Sequence, residues 1–445
     1  VGHAGASVEE ISGNPGRYVT TGTPLVKAAR SVGIDFGTTN SALAVADGDQ
    51  IQLAGFGPGL ETFRSVLFFE GNKRALAGPS AIERYLEEPD DDHPARRLIQ
   101  SIKSLLASPV FTATQIGGRR YTAADLVTII VRSLRTEAER MLGPLGNQIV
   151  VGRPVRFVAA ETEHDETTAL DRLREAFKNA GFDKIRFEYE PVGAAYFYES
   201  RLDHDELILI ADFGGGTSDF SLLPVGPSFR RKKRKILATQ GIPLAGDAFD
   251  ARIVRNVVSP LLGEGSNYRS IDKMLPVPSS LYRKLERWHH LSFLRSPDTM
   301  RMLKSILVQA EEREKLETLI ELIENDLGYH LHRAVQKTKF ELSRQQSSRF
   351  SFQHAGLKIE QMVERDDFEE WIGPELDQIA EGVEAAMKAA GIAPAQIDRV
   401  FLTGGTSLVP AVQHIFRNRF GAEKLSAGDE FTSVAKGLAL CAESR

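Results

Sequence analysis

Cysteine is nearly missing from this chain: Cys441 is the only one among 445 residues. One thiol excludes an intramolecular disulfide framework and a cysteine-ligated zinc site. Long apolar runs are missing too. A stretch such as residues 126–131 falls far short of the roughly 18 residues that a membrane-spanning helix needs. Nor is there an excess of one charge. The 55 Lys and Arg against 60 Asp and Glu leave a net −5, which gives no general reason to bind nucleic acid or anionic membrane. Residues 1–30 lack an initiator methionine and a signal-like apolar core, and read as an irregular N-terminal extension. What remains, 42% hydrophobic and 26% charged, is the composition of a soluble globular protein with ample core for two or more domains. The cytoplasm is the default compartment.

The rest of the chain is organised around residues 207–223, L-I-L-I-A-D-F-G-G-G-T-S-D-F-S-L-L. Five apolar residues predict a buried strand that ends at Asp212. Gly214, Gly215 and Gly216 then permit a tight turn that brings backbone N–H groups against an anion without Cβ interference. After Thr217 and Asp219 the apolar pattern resumes, so the whole predicts a hairpin whose tip cradles phosphate. Asp212 suits a magnesium ion held through its waters, because that ion keeps several waters and takes one or two carboxylates. An ordinary glycine turn is the competing reading of one such hairpin. A twin shifts the balance: residues 32–45 read V-G-I-D-F-G-T-T-N-S-A-L-A-V, with Asp35 where Asp212 stands in the other. Two such halves facing across a cleft would place two carboxylates and two phosphate-binding tips on one nucleotide.

Elsewhere the pattern predicts strands at 50–53, 65–70, 149–151 and 185–189, and amphipathic helices over 123–142, 166–180 and 192–202. Lys103, in S-I-K-S-L-L-A, is expected on a helix, where a lysine is ordinarily a surface residue. Glu190-Pro191, at the end of a strand and before a helix, is well placed to face a cleft. Residues 230–235 are six consecutive basic residues, read as a solvated hairpin tip over a nucleic-acid patch. The segment 261–331 predicts helical runs broken at 275–278, and residues 399–407, R-V-F-L-T-G-G-T-S, predict a strand and glycine pair opening a further helix.

G-I-D-F-G-T-T-N-S, A-D-F-G-G-G-T-S-D and F-L-T-G-G-T-S-L-V-P, in that order, resemble the two phosphate loops and the adenosine loop of the actin/sugar-kinase/heat-shock ATPase superfamily. Y-E-P-V-G-A-A and I-K-S-L-L-A are similar to the DnaK-type 70-kilodalton heat-shock chaperones, and the whole pattern looks closest to their YegD-like branch. The resemblance implies a two-lobed actin-like α/β ATPase of duplicated ribonuclease H-like domains, with a nucleotide cleft and a helical insert. Lobe I would span 31–205, and lobe II 206–395 with the insert at about 255–332. Residues 396–445 would carry the adenosine loop and a helix returning to lobe I.

By the same resemblance Asp35 and Asp212 would hold hydrated magnesium, with Asp219 nearby. Gly37, Thr38, Thr39 and Asn40 would meet the β- and γ-phosphates from one lobe, and Gly214, Gly215, Gly216 and Thr217 from the other. Lys103 would reach the γ-phosphate and steady the attacking water that Glu190 helps to orient. Gly246, Gly404, Gly405 and Thr406 would border the nucleotide, with Lys339 at the ribose or base. The chaperones commonly flank adenine with two arginines, and here the corresponding positions are Phe340 and Leu408. No apolar interdomain linker or β-rich substrate-binding domain is expected within the chain. The implied activity is slow hydrolysis of ATP to ADP, with lobe closure read by a protein partner or client. An actin-type filament former and a small-molecule kinase of the same fold are the alternatives.

Overall fold

The computed structural model describes residues 30–443 apart from 49, 58, 72, 88–95, 230–235, 287–293 and 428–431. The acidic, proline-flanked stretch at 87–93, which the sequence reads as a solvated loop, therefore lies mostly, and the basic run at 230–235 wholly, outside the described residues.

Two sheets of matching order organise the chain. The first holds β1 (Ser31–Phe36), β2 (Asn40–Asp47), β3 (Gln50–Leu53), β4 (Gln148–Arg153) and β5 (Lys184–Tyr189), side by side as β5-β4-β1-β2-β3, with Phe63–Arg64 also paired to β2. The second holds β6 (Glu206–Phe213), β7 (Ser218–Val225), β8 (Ala238–Ile242), β9 (Arg399–Thr403) and β10 (Leu425–Ala427), as β10-β9-β6-β7-β8. In each, three antiparallel strands continue into two parallel ones. Helices follow the same plan. In the first half α1 (Ala123–Leu142) precedes β4, α2 (Glu163–Asn179) precedes β5, and α3 (Glu190–Glu199) comes next. In the second half α6 (Gly373–Ala390), α7 (Pro410–Phe420) and α8 (Ser433–Glu443) take the corresponding places. Between β8 and α6 the chain inserts, among others, α4 (Gly246–Ile253) and α5 (Gly328–Leu342).

Local chemistry explains the helix ends. Thr122 with Asp125, and Thr162 with Asp165, form reciprocal capping boxes at α1 and α2, satisfying backbone donors that would otherwise be orphaned. The apolar run of β6 follows from burial on both faces. Leu209 and Ala211 enter the core of the second half, whereas Ile208 and Ile210 enter a core between the halves with Val434 and Leu438. That central core forms where α3 and α8 cross, and glycine is required at the crossing. A Cβ on Gly437 would lie 1.6 Å from the Gly193 carbonyl oxygen. Although last in the chain, α8 packs on β1, β2 and β4, while α3 packs on β6 and β7.

Two expectations change, and one element was not foreseen. Lys103 does not sit on a helix: the strand Arg96–Ile99 leads into a short 3-10 turn, Ile102–Leu105, that buries it. The segment at 261–331 is not helical throughout, because Asn267–Ser270 pairs with Lys273–Pro276 as a hairpin whose exposed side chains leave little apolar periodicity. A second hairpin, Ser347–His354 with Leu357–Glu364, follows α5; its first strand alternates buried and exposed residues.

Candidate active site

The two hairpins bring their acids together. In β1–β2, Asp35 is opposite Ala42; in β6–β7, Asp212 is opposite Asp219. The Gly214 N–H donates to the Thr217 carbonyl at 2.8 Å, which closes the second tip. Asp35, Gly37, Thr38, Thr39 and Asn40 from the first half line one cavity of about 350 Å³ with Asp212, Gly214, Gly215 and Thr217 from the second. Lys103, Glu190, Gly246, Lys339, Phe340, Gly404, Gly405, Thr406 and Leu408 line it too. Two expected members stand apart. Gly216 borders a neighbouring cavity, and Asp219 is buried off the wall, where it accepts the Val155 N–H at 2.9 Å.

Lys103 Nζ lies 2.6 Å from Glu190 Oε1, and both side chains are less than a tenth exposed. Burial opposes the lysine's charge, but Glu190 and Asp35 outweigh it and raise its pKa. Asp35 and Asp212 open onto the cavity and are otherwise enclosed. Desolvation first, then the charge of Glu190, raises Asp35 well above the ordinary range. The same two causes push Asp212 up to about 6, held back by the Thr403 hydroxyl, which donates to Asp212 Oδ1 at 2.5 Å. Asp219 is also raised well above its usual value by burial, Glu190 and Asp212. Crowded acids of this kind disfavour ionisation when alone and favour a bound cation. Two carboxylates without a three-ligand His/Cys/Asp/Glu cluster among the described residues suit a hydrated hard ion more than a fully caged one.

At the other end, Gly404 has φ +82°, and a Cβ there would lie 1.9 Å from the Phe213 carbonyl oxygen, so only glycine lets β9 turn against β6. Lys339 Nζ donates to the Gly246 carbonyl at 3.0 Å and pairs with Asp250 at 2.6 Å. Phe340 is 46% exposed at the cavity rim, with Leu408 also lining it, and the Arg344 guanidinium stacks 4.2 Å from the Phe340 ring centre.

Sequence reasoning missed Asp247 and Arg64. Asp247 lines the cavity as α4 begins, its N–H donating to the Gly215 carbonyl at 2.8 Å; burial, then Asp250, raises its carboxyl to about 6. The signal was its place directly after Gly246. Arg64 donates to Asn40 Oδ1 at 3.0 Å, and no local pattern announces it.

Two like halves facing one acid-lined cleft define a two-lobed actin-like ATPase fold. Its particular family follows from comparison: the Hsp70 protein family model matches residues 31–272 and 305–444. The chain belongs to the Hsp70 family and thereby to ATP-binding, chaperone-like ATPases. Among the described residues, no helix is long and apolar enough to cross a membrane.

Proposed function

We propose that this chain binds Mg-ATP between its halves and hydrolyses it slowly, with lobe closure as the output that a partner or client protein reads. The observation that carries the reading is that Asp35 and Asp212, from equivalent strand ends, line one cavity with the Lys103–Glu190 pair. A magnesium ion would be held by Asp35 and Asp212 through its waters and would neutralise phosphate charge. Backbone N–H groups at residues 37–40 on one side, and of Gly215 and Thr217 on the other, bind the β- and γ-phosphates. Lys103 offsets charge that develops on the γ-phosphoryl oxygens, and Glu190, fixed by that lysine, orients the attacking water. Positioning and neutralisation of this kind dominate phosphoryl transfer. Gly404, Gly405, Thr406 and Lys339 border the sugar, and Phe340 and Leu408 flank the base.

On this reading the lobes are 31–205 and 206–395, the insert is about 255–332, and residues 396–445 return to the first lobe. The compartment is the cytoplasm, and nucleic acid is not a partner. Single-turnover hydrolysis of γ-labelled ATP, with and without magnesium, tests the reading. Magnesium-dependent phosphate release is expected. So is a higher melting temperature in Mg-ADP, since a ligand at 100 times its Kd adds about 2.7 kcal/mol. Neither response appearing would remove the nucleotide reading.

A further inference from the structure

A second cavity, about 700 Å³, adjoins the phosphate end of the first. The two share a wall whose residues alternate between them. Lys103 lines the nucleotide cavity and Ser104 the second; Gly215 lines the first and Gly216 the second; Gly246 lines the first and Ala245 the second. Asp247 lines both. The second cavity is twice the size of the first and within the range that holds a whole small-molecule ligand.

Its polar groups define what would fill it. Gln100 borders the cavity and is 7% exposed, and its Nε2 is buried without a hydrogen-bond partner among the described residues. A buried donor left unmet is costly and rare, so this amide asks for an acceptor from outside the chain. Ser101 stands beside it in left-handed backbone, φ +52°, a conformation uncommon outside glycine that here turns the chain from strand to 3-10 turn at the cavity edge. Four of the charged groups on the wall are already paired within the protein, Arg252 with Glu375 at 2.8 Å and Arg255 with Glu286 at 2.7 Å, and Arg97 donates to the Thr114 hydroxyl and the Gln115 carbonyl. Asp247 and Asp326 remain as acceptors for hydroxyl protons. Leu98, Leu105, Phe111 and Tyr329 supply apolar and aromatic surface between these polar points. Such a set recognises a neutral molecule bearing hydroxyl and carbonyl oxygens on a partly apolar frame.

We propose that this cavity is a second ligand site, for a neutral polyhydroxylated compound of mono- or disaccharide size, and that its occupant is coupled to nucleotide through the shared wall at Gly215–Gly216 and Asp247. The coupling rests on the nucleotide reading above; the cavity itself does not. A ligand pressing on Ser104, Gly216 and Asp247 biases the loops that hold the γ-phosphate. By linkage, nucleotide then changes the ligand's affinity by the same factor.

The test uses the full chain and three probes, glucose, maltose and N,N′-diacetylchitobiose, followed by saturation-transfer NMR and calorimetry at millimolar concentration. At least one probe is expected to bind without nucleotide. Ala248→Trp, on the cavity face of α4, fills the space and abolishes that binding while leaving the Mg-ADP melting shift in place. Gln100→Leu removes the free donor with little change of volume and weakens the probe about tenfold. Binding of no probe, or equal binding by wild type and Ala248→Trp, overturns the proposal. A probe that binds the wild type with the same Kd at saturating and zero Mg-ADP overturns the coupling. Because the Mg-ADP melting shift is read on the same samples, failure of the nucleotide reading is seen separately.

Discussion

The first and second halves of this protein use one strand order and one acid-tipped hairpin, yet they surround their acids differently. Asp212 is held by the Thr403 hydroxyl, which the parallel neighbour β9 carries to it in register. No side-chain hydrogen bond to Asp35 is present among the described residues; burial and the charges of Glu190, Lys103 and Asp212 govern it. The contributions also divide by lobe. The first half supplies the Lys103–Glu190 pair, and the second supplies Lys339, Phe340 and the Gly404–Gly405 turn. Duplication thus provides a symmetric frame of two acid-tipped hairpins, while insertions and neighbouring strands make the two ends of the cleft chemically distinct.

The largest effect is expected where the equivalent helices of the two halves cross. Gly437→Val places a side chain where even a Cβ meets the Gly193 carbonyl oxygen at 1.6 Å, and neither helix backbone can yield without separating the sheets. A loss of more than about 4 kcal/mol is expected, among the severe substitutions. A circular-dichroism melt matching the wild type would show that the crossing is not what joins the halves.

Lys103→Ala tests whether catalysis is lopsided. Hydrolysis should fall by at least about 100-fold, the scale for removing one preorganised charge-stabilising donor. Nucleotide affinity should stay near wild type if, as proposed, the base and ribose are held by the other half. Single-turnover rates beside calorimetric Kd values decide it, and an unchanged rate would mean that the buried pair is purely structural.

Thr403→Val removes the hydrogen bond that only Asp212 has. An unmet buried acceptor costs about 1–3 kcal/mol, and magnesium dependence should weaken with it. Melting with and without magnesium, compared with an Asp35→Asn variant, shows whether the two acids are inequivalent; identical shifts would erase the distinction.

His332, on α5 of the second half, gives a smaller, pH-dependent effect. Burial holds its pKa down to about 4, and Lys339 and Arg64 act in the same direction against Asp250. The unfolded chain binds this proton near 6.5, so the stability from keeping the ring neutral is fully present above that pH. It is lost as pH falls from about 6.5 toward about 4. Asp212 and Asp247, raised to about 6, work with the opposite sign: their protonation favours the fold as pH falls from there toward 3.8. Denaturant titrations at pH 7 and 5 should therefore show His332→Asn less acid-sensitive than the wild type; an equal slope counts against burial as the cause.

The smallest effect concerns the base. If Phe340 and Leu408 flank it, recognition is by stacking and apolar contact, which every purine satisfies, and rejection of GTP should be weak. Phe340→Arg with Leu408→Arg should change nucleotide affinity more than magnesium dependence. Competition calorimetry of ATP against GTP reads this, and equal affinities in both proteins would remove these residues from the base site.

Much of this was legible in local pattern. Strand, acid and glycine in Val32, Asp35 and Gly37, repeated in Ile210, Asp212 and Gly214, specified two hairpins, because buried strands demand apolar runs and tight turns demand glycine. The helix over Ala123–Leu142 was equally plain from its apolar face. Other features had no trace in periodicity, and Lys103 was marked only by the family resemblance. Lys103 sits in an ordinary-looking I-K-S-L segment, and only the approach of Glu190 from 87 residues away turns it into a buried ion pair. Arg64 joins the cleft in the same way, through a contact with Asn40 that its own segment does not record, whereas Asp247 had only its place after Gly246 to mark it. The hairpin Asn267–Ser270 with Lys273–Pro276 is mostly exposed, so burial imposed no alternation from which to read it. Local pattern was enough for the two acid-tipped hairpins and most of the strands and helices around them, since backbone preference and one-sided burial act over a few neighbouring residues. The tertiary structure alone decided that α8 lies on the first sheet, that Thr403 reaches Asp212 but not Asp35, and that a second cavity opens behind Gly216, because each depends on surfaces that meet only after distant segments have packed.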